Sequence, residues 1–191
     1  MGTRSMILKP EGDAWVGRYV HWDGYPEGVG AALHEIVNRD GLTMARKVLI
    51  DDHVYWSSID PSMVHTKRDY SGNEVIVTEI DLGGIALGAC VSSISYTDEK
   101  RWAKPATFVV GYGEADLNGP VNDEADEDFL ITYANYSQYD GCEWAYLLSG
   151  DGLHFGRVPW GREATQPNWM GVIPWDADFS EALTGFMAGA E

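Results

Sequence analysis

Basic residues are scarce in this sequence. Its 191 residues include 13 Lys and Arg against 30 Asp and Glu, which gives a formal net charge of -17. No stretch clusters more than two basic residues, whereas nucleic-acid binding depends on Lys and Arg side chains that neutralise phosphates. We therefore expect no direct binding to nucleic acid. An acidic surface favours cationic partners, including proteins whose own basic surface grips nucleic acid. The alternative is that the charge serves solubility alone.

Cysteine and long apolar runs are also rare. The two cysteines, Cys90 and Cys142, lie far apart in the chain and form no metal-type spacing. Nothing in this content demands the oxidising compartment in which disulfides persist. Residues 1–10 lack the apolar stretch of a signal peptide, and no run approaches 18 apolar residues. We expect a cytoplasmic protein with no membrane partner, no metal and no cofactor.

Complete catalytic motifs are absent as well. The sequence has no nucleophile elbow and no phosphate-binding loop. His34 begins like a zinc-protease helix, but Asn38 stands where the second histidine is needed. Gly28 and Gly30 lie where a dinucleotide fingerprint would start, but Leu33 replaces the third glycine. The motifs therefore favour a protein that is not an enzyme.

The densest acidic run lies in a predicted loop from Asp116 to Asp128. This loop starts like a calcium-binding loop, but Val121 replaces the glycine that the sharp turn of such a loop needs. A solvated loop is the better interpretation. Its carboxylates are still candidate binding residues: Asp123, Glu124, Asp126, Glu127 and Asp128.

Apolar and aromatic residues, by contrast, are plentiful. The hydrophobic fraction is 45%, with 8 Trp and 10 Tyr. Disordered chains lack such residues, so the composition indicates an ordered globular protein. The length of 191 residues fits one domain better than two. We therefore expect a single domain over residues 1–191.

The periodicity of the apolar residues predicts both strands and helices. Ser5–Leu8 and Trp15–Trp22 alternate as strands around a polar turn. From Val29 the apolar period becomes helical, and Gly41 suits the end of that helix. A second helix is predicted from Thr43, and an ordered loop from Asp51 to Pro61. Five further strands are predicted, at Glu74–Leu82, Thr107–Val110, Phe129–Tyr133, Trp144–Leu148 and Leu153–Val158. The last two are joined by the hairpin turn Ser149–Gly152. A final helix is predicted at Asp178–Met187, capped near Ser180.

This order of elements predicts the fold class. Strands come first, helices follow, and a mostly antiparallel set of strands ends the chain. We predict an α+β fold with a mostly antiparallel sheet. Two N-terminal helices and a short C-terminal helix are expected to pack against it.

The break between the second strand and the first helix is the main candidate site. It reads His21-Trp22-Asp23-Gly24-Tyr25-Pro26, and loops at such positions often carry function. A histidine oriented by a carboxylate is a possible general base, so His21 and Asp23 are the catalytic candidates. The alternative is structural: Asp23 and Gly24 make the turn, while Trp22 and Tyr25 pack. The residue pattern favours the structural role slightly.

Two segments carry a resemblance. The chain opens Thr3-Arg4-Ser5-Met6-Ile7 and later reads His21-Trp22-Asp23-Gly24-Tyr25-Pro26 before a helix. In this it resembles uncharacterised small proteins of bacteriophages and bacterial genomes that share both segments. The match covers roughly the first 35 residues and implies no catalytic residue. It implies a phage, prophage or accessory-gene setting, where small acidic proteins commonly engage host factors.

These observations lead to one main hypothesis and two alternatives. The main hypothesis is a non-enzymatic accessory protein, phage- or prophage-derived, that binds a host protein or a small ligand. Its candidate contact residues are His21, Trp22, Asp23 and Tyr25, together with the acidic run. The first alternative is a small hydrolase or nucleotide-processing enzyme using His21 and Asp23. The second is a nucleic-acid mimic that presents an acidic surface.

Overall fold

The computed structural model describes residues 3–63, 65–68, 74–77, 90–94, 106–109, 111–116, 130–132, 141–159 and 166–189. In these ranges the strands are β1 Arg4–Glu11, β2 Ala14–Val20, β3 Tyr55–Ile59, β4 His65–Arg68, β5 Glu74–Val77, β6 Cys90–Ile94, β7 Ala106–Val109, β8 Gly113–Asp116, β9 Ile131–Thr132, β10 Cys142–Leu148, β11 Leu153–Arg157 and β12 Asn168–Ile173. The helices are α1 Ala31–Asp40, α2 Leu42–Arg46 and α3 Phe179–Ala188. A π-helical turn, Pro26–Gly30, leads into α1, and another, Lys47–Asp51, continues α2.

One large sheet of mixed orientation forms the centre of the fold. Its strand order is β12-β11-β10-β1-β2-β3-β8-β7-β6, with β9 beside β2, while β4 and β5 form a separate hairpin. The pairs β1–β10 and β2–β3 are parallel, and the other pairs are antiparallel. The α+β class and the mostly antiparallel pairing are therefore as predicted, and the two parallel pairs make the sheet mixed. The β2–β3 pair is parallel because α1 and α2 lie between the two strands and carry the chain back to the same end of the sheet.

The two faces of the sheet carry separate apolar clusters. Successive residues of β1 alternate between them: Ile7 belongs to the larger cluster, whereas Met6 and Leu8 belong to the smaller one. The larger cluster also holds the apolar residues of α1 and α2 and Leu183 of α3. The described helices therefore pack against one face, as the alternation of β1 and the helical period of α1 require.

A buried arginine helps to fix the crossover between β2 and β3. Arg18 of β2 is 2% exposed, and its Nε donates to the carbonyl oxygen of Ile50 at 2.8 Å. From β3, Trp56 Nε1 donates to the carbonyl oxygen of Leu49 at 2.9 Å. Carbonyls at a helix end have no partner within the helix, so donors from both strands satisfy them. These contacts hold β2, β3 and the end of the crossover in one arrangement.

Local patterns predicted several elements correctly. The first two strands, α1 with its end at Gly41, and the β10–β11 hairpin all occur where expected. Gly41 has a φ of 85°, so the predicted need for a glycine is confirmed.

Other local predictions were wrong. The predicted loop Asp51–Pro61 contains strand β3, because its residues pair with β2 and β8, which are distant in sequence. Helix α2 begins at Leu42, so Thr43 lies inside it and is not its cap. Helix α3 is capped by Asp178, whose Oδ1 accepts from the backbone N–H of Glu181, instead of by Ser180. Most of the predicted loop Asp116–Asp128 lies outside the described residues.

None of the helices in the described ranges is long and apolar enough to cross a membrane.

Candidate functional site

The segment after β2 is held on both sides by backbone hydrogen bonds. The N–H of His21 donates to Trp56 O at 3.0 Å, and the N–H of Trp22 donates to Ser57 O at 2.9 Å. On the other side, the N–H of Gly24 donates to Thr3 O at 2.8 Å. The chain thus leaves β2 while still bonded to β3 and to the segment that enters β1. We call residues 21–26 the aromatic turn.

The tight shape of the aromatic turn depends on its small residues. Asp23 has a φ of 56°, a left-handed conformation that Asp tolerates better than most residues. Its carbonyl oxygen accepts from the N–H of Val29 at 2.9 Å. A Cβ on Gly28 would lie 2.3 Å from that same oxygen, so only glycine fits there. The hydroxyl of Tyr146, from β10, donates to the buried Gly24 carbonyl at 2.8 Å.

Three side chains of the turn face solvent. Trp22 is 48% exposed and Tyr25 is 41% exposed, and Asp23 between them is also exposed. Large aromatic side chains are mostly buried in proteins, so two exposed ones on one short turn form an unusual surface feature. The structural alternative, in which Trp22 and Tyr25 pack, holds in part: Trp22 contacts His21, but a large part of both residues is exposed. Gly24 and Pro26 are buried and anchor the turn.

His21 faces two tyrosines. Its Nδ1 lies 3.0 Å from the Tyr19 hydroxyl and 3.2 Å from the Tyr55 hydroxyl. The rings of the two tyrosines stack with centroids 4.9 Å apart. The edge of His21 meets Trp22 at a centroid distance of 4.5 Å in a T-shaped contact. We call Tyr19, His21 and Tyr55 the tyrosine–histidine cluster.

This cluster was not found from the sequence. The alternation of β2 already places Tyr19 and His21 on one strand face. Tyr55 joins them only because it is the register partner of Tyr19 in the parallel β2–β3 pair. No local pattern indicates that pairing. The hydrogen bonds of His21 thus lead to tyrosine hydroxyls, whereas the sequence had suggested Asp23 as its partner.

The surroundings of Tyr19 favour its neutral hydroxyl group. Partial burial raises the pKa of Tyr19 above its ordinary value, opposed by the positive charge of Arg4 and by the hydrogen bond to Tyr55. Each hydroxyl lies within hydrogen-bond distance of Nδ1, which can accept from either of them. The arrangement can therefore share or relay protons among three side chains.

Two other histidines have structural roles. The Nε2–H of His34 donates to Pro174 O at 3.0 Å, and its Nδ1 accepts from Asn38 Nδ2 at 3.1 Å. His53 is 4% exposed, and its Nδ1–H donates to Val48 O at 2.8 Å. Burial lowers the pKa of His53 below its ordinary value, so it is held neutral. Both imidazoles make hydrogen bonds that stabilise the fold.

Other candidate features contribute less to a site. The acidic residues Asp123, Glu124, Asp126, Glu127 and Asp128 lie outside the described residues. Cys142 is buried, and burial raises the pKa of its thiol to about 12, so it is unreactive. Among the side chains that the structure describes, no three of His, Cys, Asp and Glu are grouped to hold a metal ion. A cavity of about 350 Å³ lies away from the turn, lined by Met170, Gly185, Phe186 and Gly189.

Comparison of the chain with protein-family models, with curated proteins and with solved structures finds no match. The functional argument therefore depends on the geometry of the site.

Proposed function

We propose that this chain is a non-enzymatic accessory protein that binds a basic protein through its aromatic turn. The observation that carries the proposal is the exposure of Trp22 and Tyr25, at 48% and 41%, on a turn whose backbone is fixed at several points. Exposed aromatic side chains on a rigid support are typical anchors of protein interfaces, because little conformational entropy is lost on binding.

The chemistry of the turn favours a cationic group in the partner. Aromatic faces attract Lys and Arg side chains, and this attraction is about 0.5–2 kcal/mol per contact. Asp23, exposed between the two aromatic residues, offers a carboxylate for the same group. The net charge of -17 adds long-range attraction and speeds the encounter with a basic protein. His21 supports Trp22 from one side through their T-shaped contact.

We further propose that the protein acts in the cytoplasm in a phage, prophage or accessory-gene setting. The resemblance of its first 35 residues supports this setting, and its acidity suits the capture of basic host proteins. The acidic run at 123–128 contributes to the net negative charge that attracts such partners.

The experiment is a capture assay from bacterial lysate. The immobilised protein is compared with a Trp22→Ala/Tyr25→Ala variant at low and at raised salt, and retained proteins are identified. We expect a basic protein that the wild type retains at low salt and releases at raised salt, with at least tenfold less retained by the variant. Met187→Ala is the matched control, because Met187 is also 41% exposed but lies on α3. Capture of nothing at low salt, or equal capture by the turn variant, would contradict the proposal.

The two alternative functions have less support. A hydrolase using His21 and Asp23 needs the carboxylate to orient the imidazole, but Nδ1 of His21 faces two tyrosine hydroxyls. A nucleic-acid mimic needs regularly spaced carboxylates on one surface, and the densest run of them, at 123–128, lies outside the described residues.

A further inference from the structure

We propose that the tyrosine–histidine cluster is a binding site for a hard metal ion, ferric iron, with Tyr19, His21 and Tyr55 as its ligands. This site is separate from the partner-binding surface. It uses the hydroxyl oxygens and one ring nitrogen of the cluster, whereas the partner would contact Trp22, Asp23 and Tyr25.

The spacing of the three donor atoms is the first argument. Protein nitrogen and oxygen ligands lie about 2.0–2.2 Å from a bound transition metal, so neighbouring ligand atoms lie about 3 Å apart. In the cluster, Nδ1 of His21 is 3.0 Å from one hydroxyl oxygen and 3.2 Å from the other. Nδ1 therefore already has, from each of the two hydroxyl oxygens, the separation of neighbouring ligands of one metal ion. A metal ion can replace the shared protons without a rearrangement of the backbone.

The rigidity of the cluster is the second argument. Tyr19 and Tyr55 are register partners in the parallel β2–β3 pair, and their stacked rings restrict each other. The backbone N–H of His21 is bonded to Trp56, and its ring is held against Trp22. Ligands on strands with fixed side chains bind metals better than ligands on mobile loops, because less conformational entropy is lost on binding.

The type of donor selects the metal. Two phenolate oxygens and one imidazole form a hard, anionic donor set, which suits a small and highly charged ion that also accepts nitrogen. Ferric iron meets this requirement, and tyrosine is a known ligand of protein-bound iron. The three side chains are each partly exposed. The net charge of -17 attracts cations in general.

Binding has a defined proton balance. Each tyrosine ligates as phenolate and releases one proton to solvent, while the neutral imidazole of His21 releases none. The contacts of Nδ1 with the two hydroxyls are exchanged for one metal–nitrogen bond and two metal–oxygen bonds.

The test is a titration of the full chain with ferric citrate, followed by visible absorption. Tyrosinate bound to ferric iron gives a charge-transfer band that free iron and free tyrosine lack. We expect the band to saturate near one equivalent. Tyr19→Phe and Tyr55→Phe keep the stacked rings and remove one ligand oxygen each, so each variant is expected to lower the affinity for iron at least tenfold.

Tyr25→Phe is the matched control, because it removes a hydroxyl from the same turn but not from the cluster, and it should leave the band unchanged. Circular dichroism establishes that each variant is folded. The absence of a band in the wild type, or a band that survives in both Tyr19→Phe and Tyr55→Phe, would overturn the proposal. A Tyr25→Ala variant separates the two proposals, since it should bind the partner more weakly and keep the iron band.

Discussion

Removal of one buried hydroxyl should loosen the aromatic turn. Tyr146 is fully buried in β10, and its hydroxyl donates to the Gly24 carbonyl at 2.8 Å. Tyr146→Phe keeps the ring and its packing but withdraws the donor from a buried carbonyl. Loss of a partner from a buried polar group costs about 1–3 kcal/mol. At about 2–4 °C per kcal/mol for a chain of this size, the melting temperature should fall by about 2–12 °C.

Urea unfolding followed by tryptophan fluorescence measures this effect as a change in the free energy of unfolding. Tyr25→Phe is the control, because its hydroxyl belongs to a side chain that is 41% exposed, and it should change stability by less than about 0.5 kcal/mol. The same Tyr146→Phe variant should bind the basic partner more weakly, since the turn is less rigid. A Tyr146→Phe protein within 0.5 kcal/mol of the wild type would refute the reasoning, as would an equal loss in Tyr25→Phe.

Two further predictions concern stability. Burial lowers the pKa of His53 in the folded protein. Below about pH 6.5, the ordinary pKa of histidine, the unfolded chain therefore binds more protons than the folded chain. The free energy of unfolding should fall as the pH drops from there through the folded-state pKa of His53. The free energy of unfolding between pH 7 and pH 5 should therefore fall less steeply in His53→Gln; an unchanged slope would contradict this. Asp178→Ala should lower the free energy of unfolding by about 1 kcal/mol, because it removes the cap of α3. Ser180→Ala, at the position that the sequence favoured as the cap, should change this free energy little. Chemical denaturation of both variants measures the difference.

The parts of the fold that depend on neighbouring residues could be predicted from the sequence. Strands β1 and β2 alternate around a polar turn, α1 has one apolar face before Gly41, and Ser149–Gly152 has the composition of a hairpin turn. Strand β3 could not be predicted in this way. Its residues lie between acidic and proline-containing segments, and they become a strand through their pairing with β2 and β8.

The candidate site likewise has a part that the local sequence predicts and a part that it does not. His21, Trp22, Asp23 and Tyr25 stand together in the sequence, so their turn was predicted. Tyr55 follows His21 by 34 residues, and it reaches the imidazole only because two helices return the chain to pair in parallel with β2. The exposure of Trp22 was also beyond local reasoning, since alternation along β2 would have placed it with the apolar residues Val16 and Val20.

The position of β1 in the middle of the sheet has a consequence for synthesis. Its parallel neighbour β10 runs from Cys142 to Leu148, so one side of β1 has no partner until most of the chain has been made. At about 5–20 residues per second, this delay is on the order of ten seconds. During it, the apolar residues Met6, Ile7 and Leu8 and an unpaired strand edge are open to solvent and to other chains. Completion of the sheet is then a slow, non-local step, and a nascent chain at this stage is a natural client for chaperones.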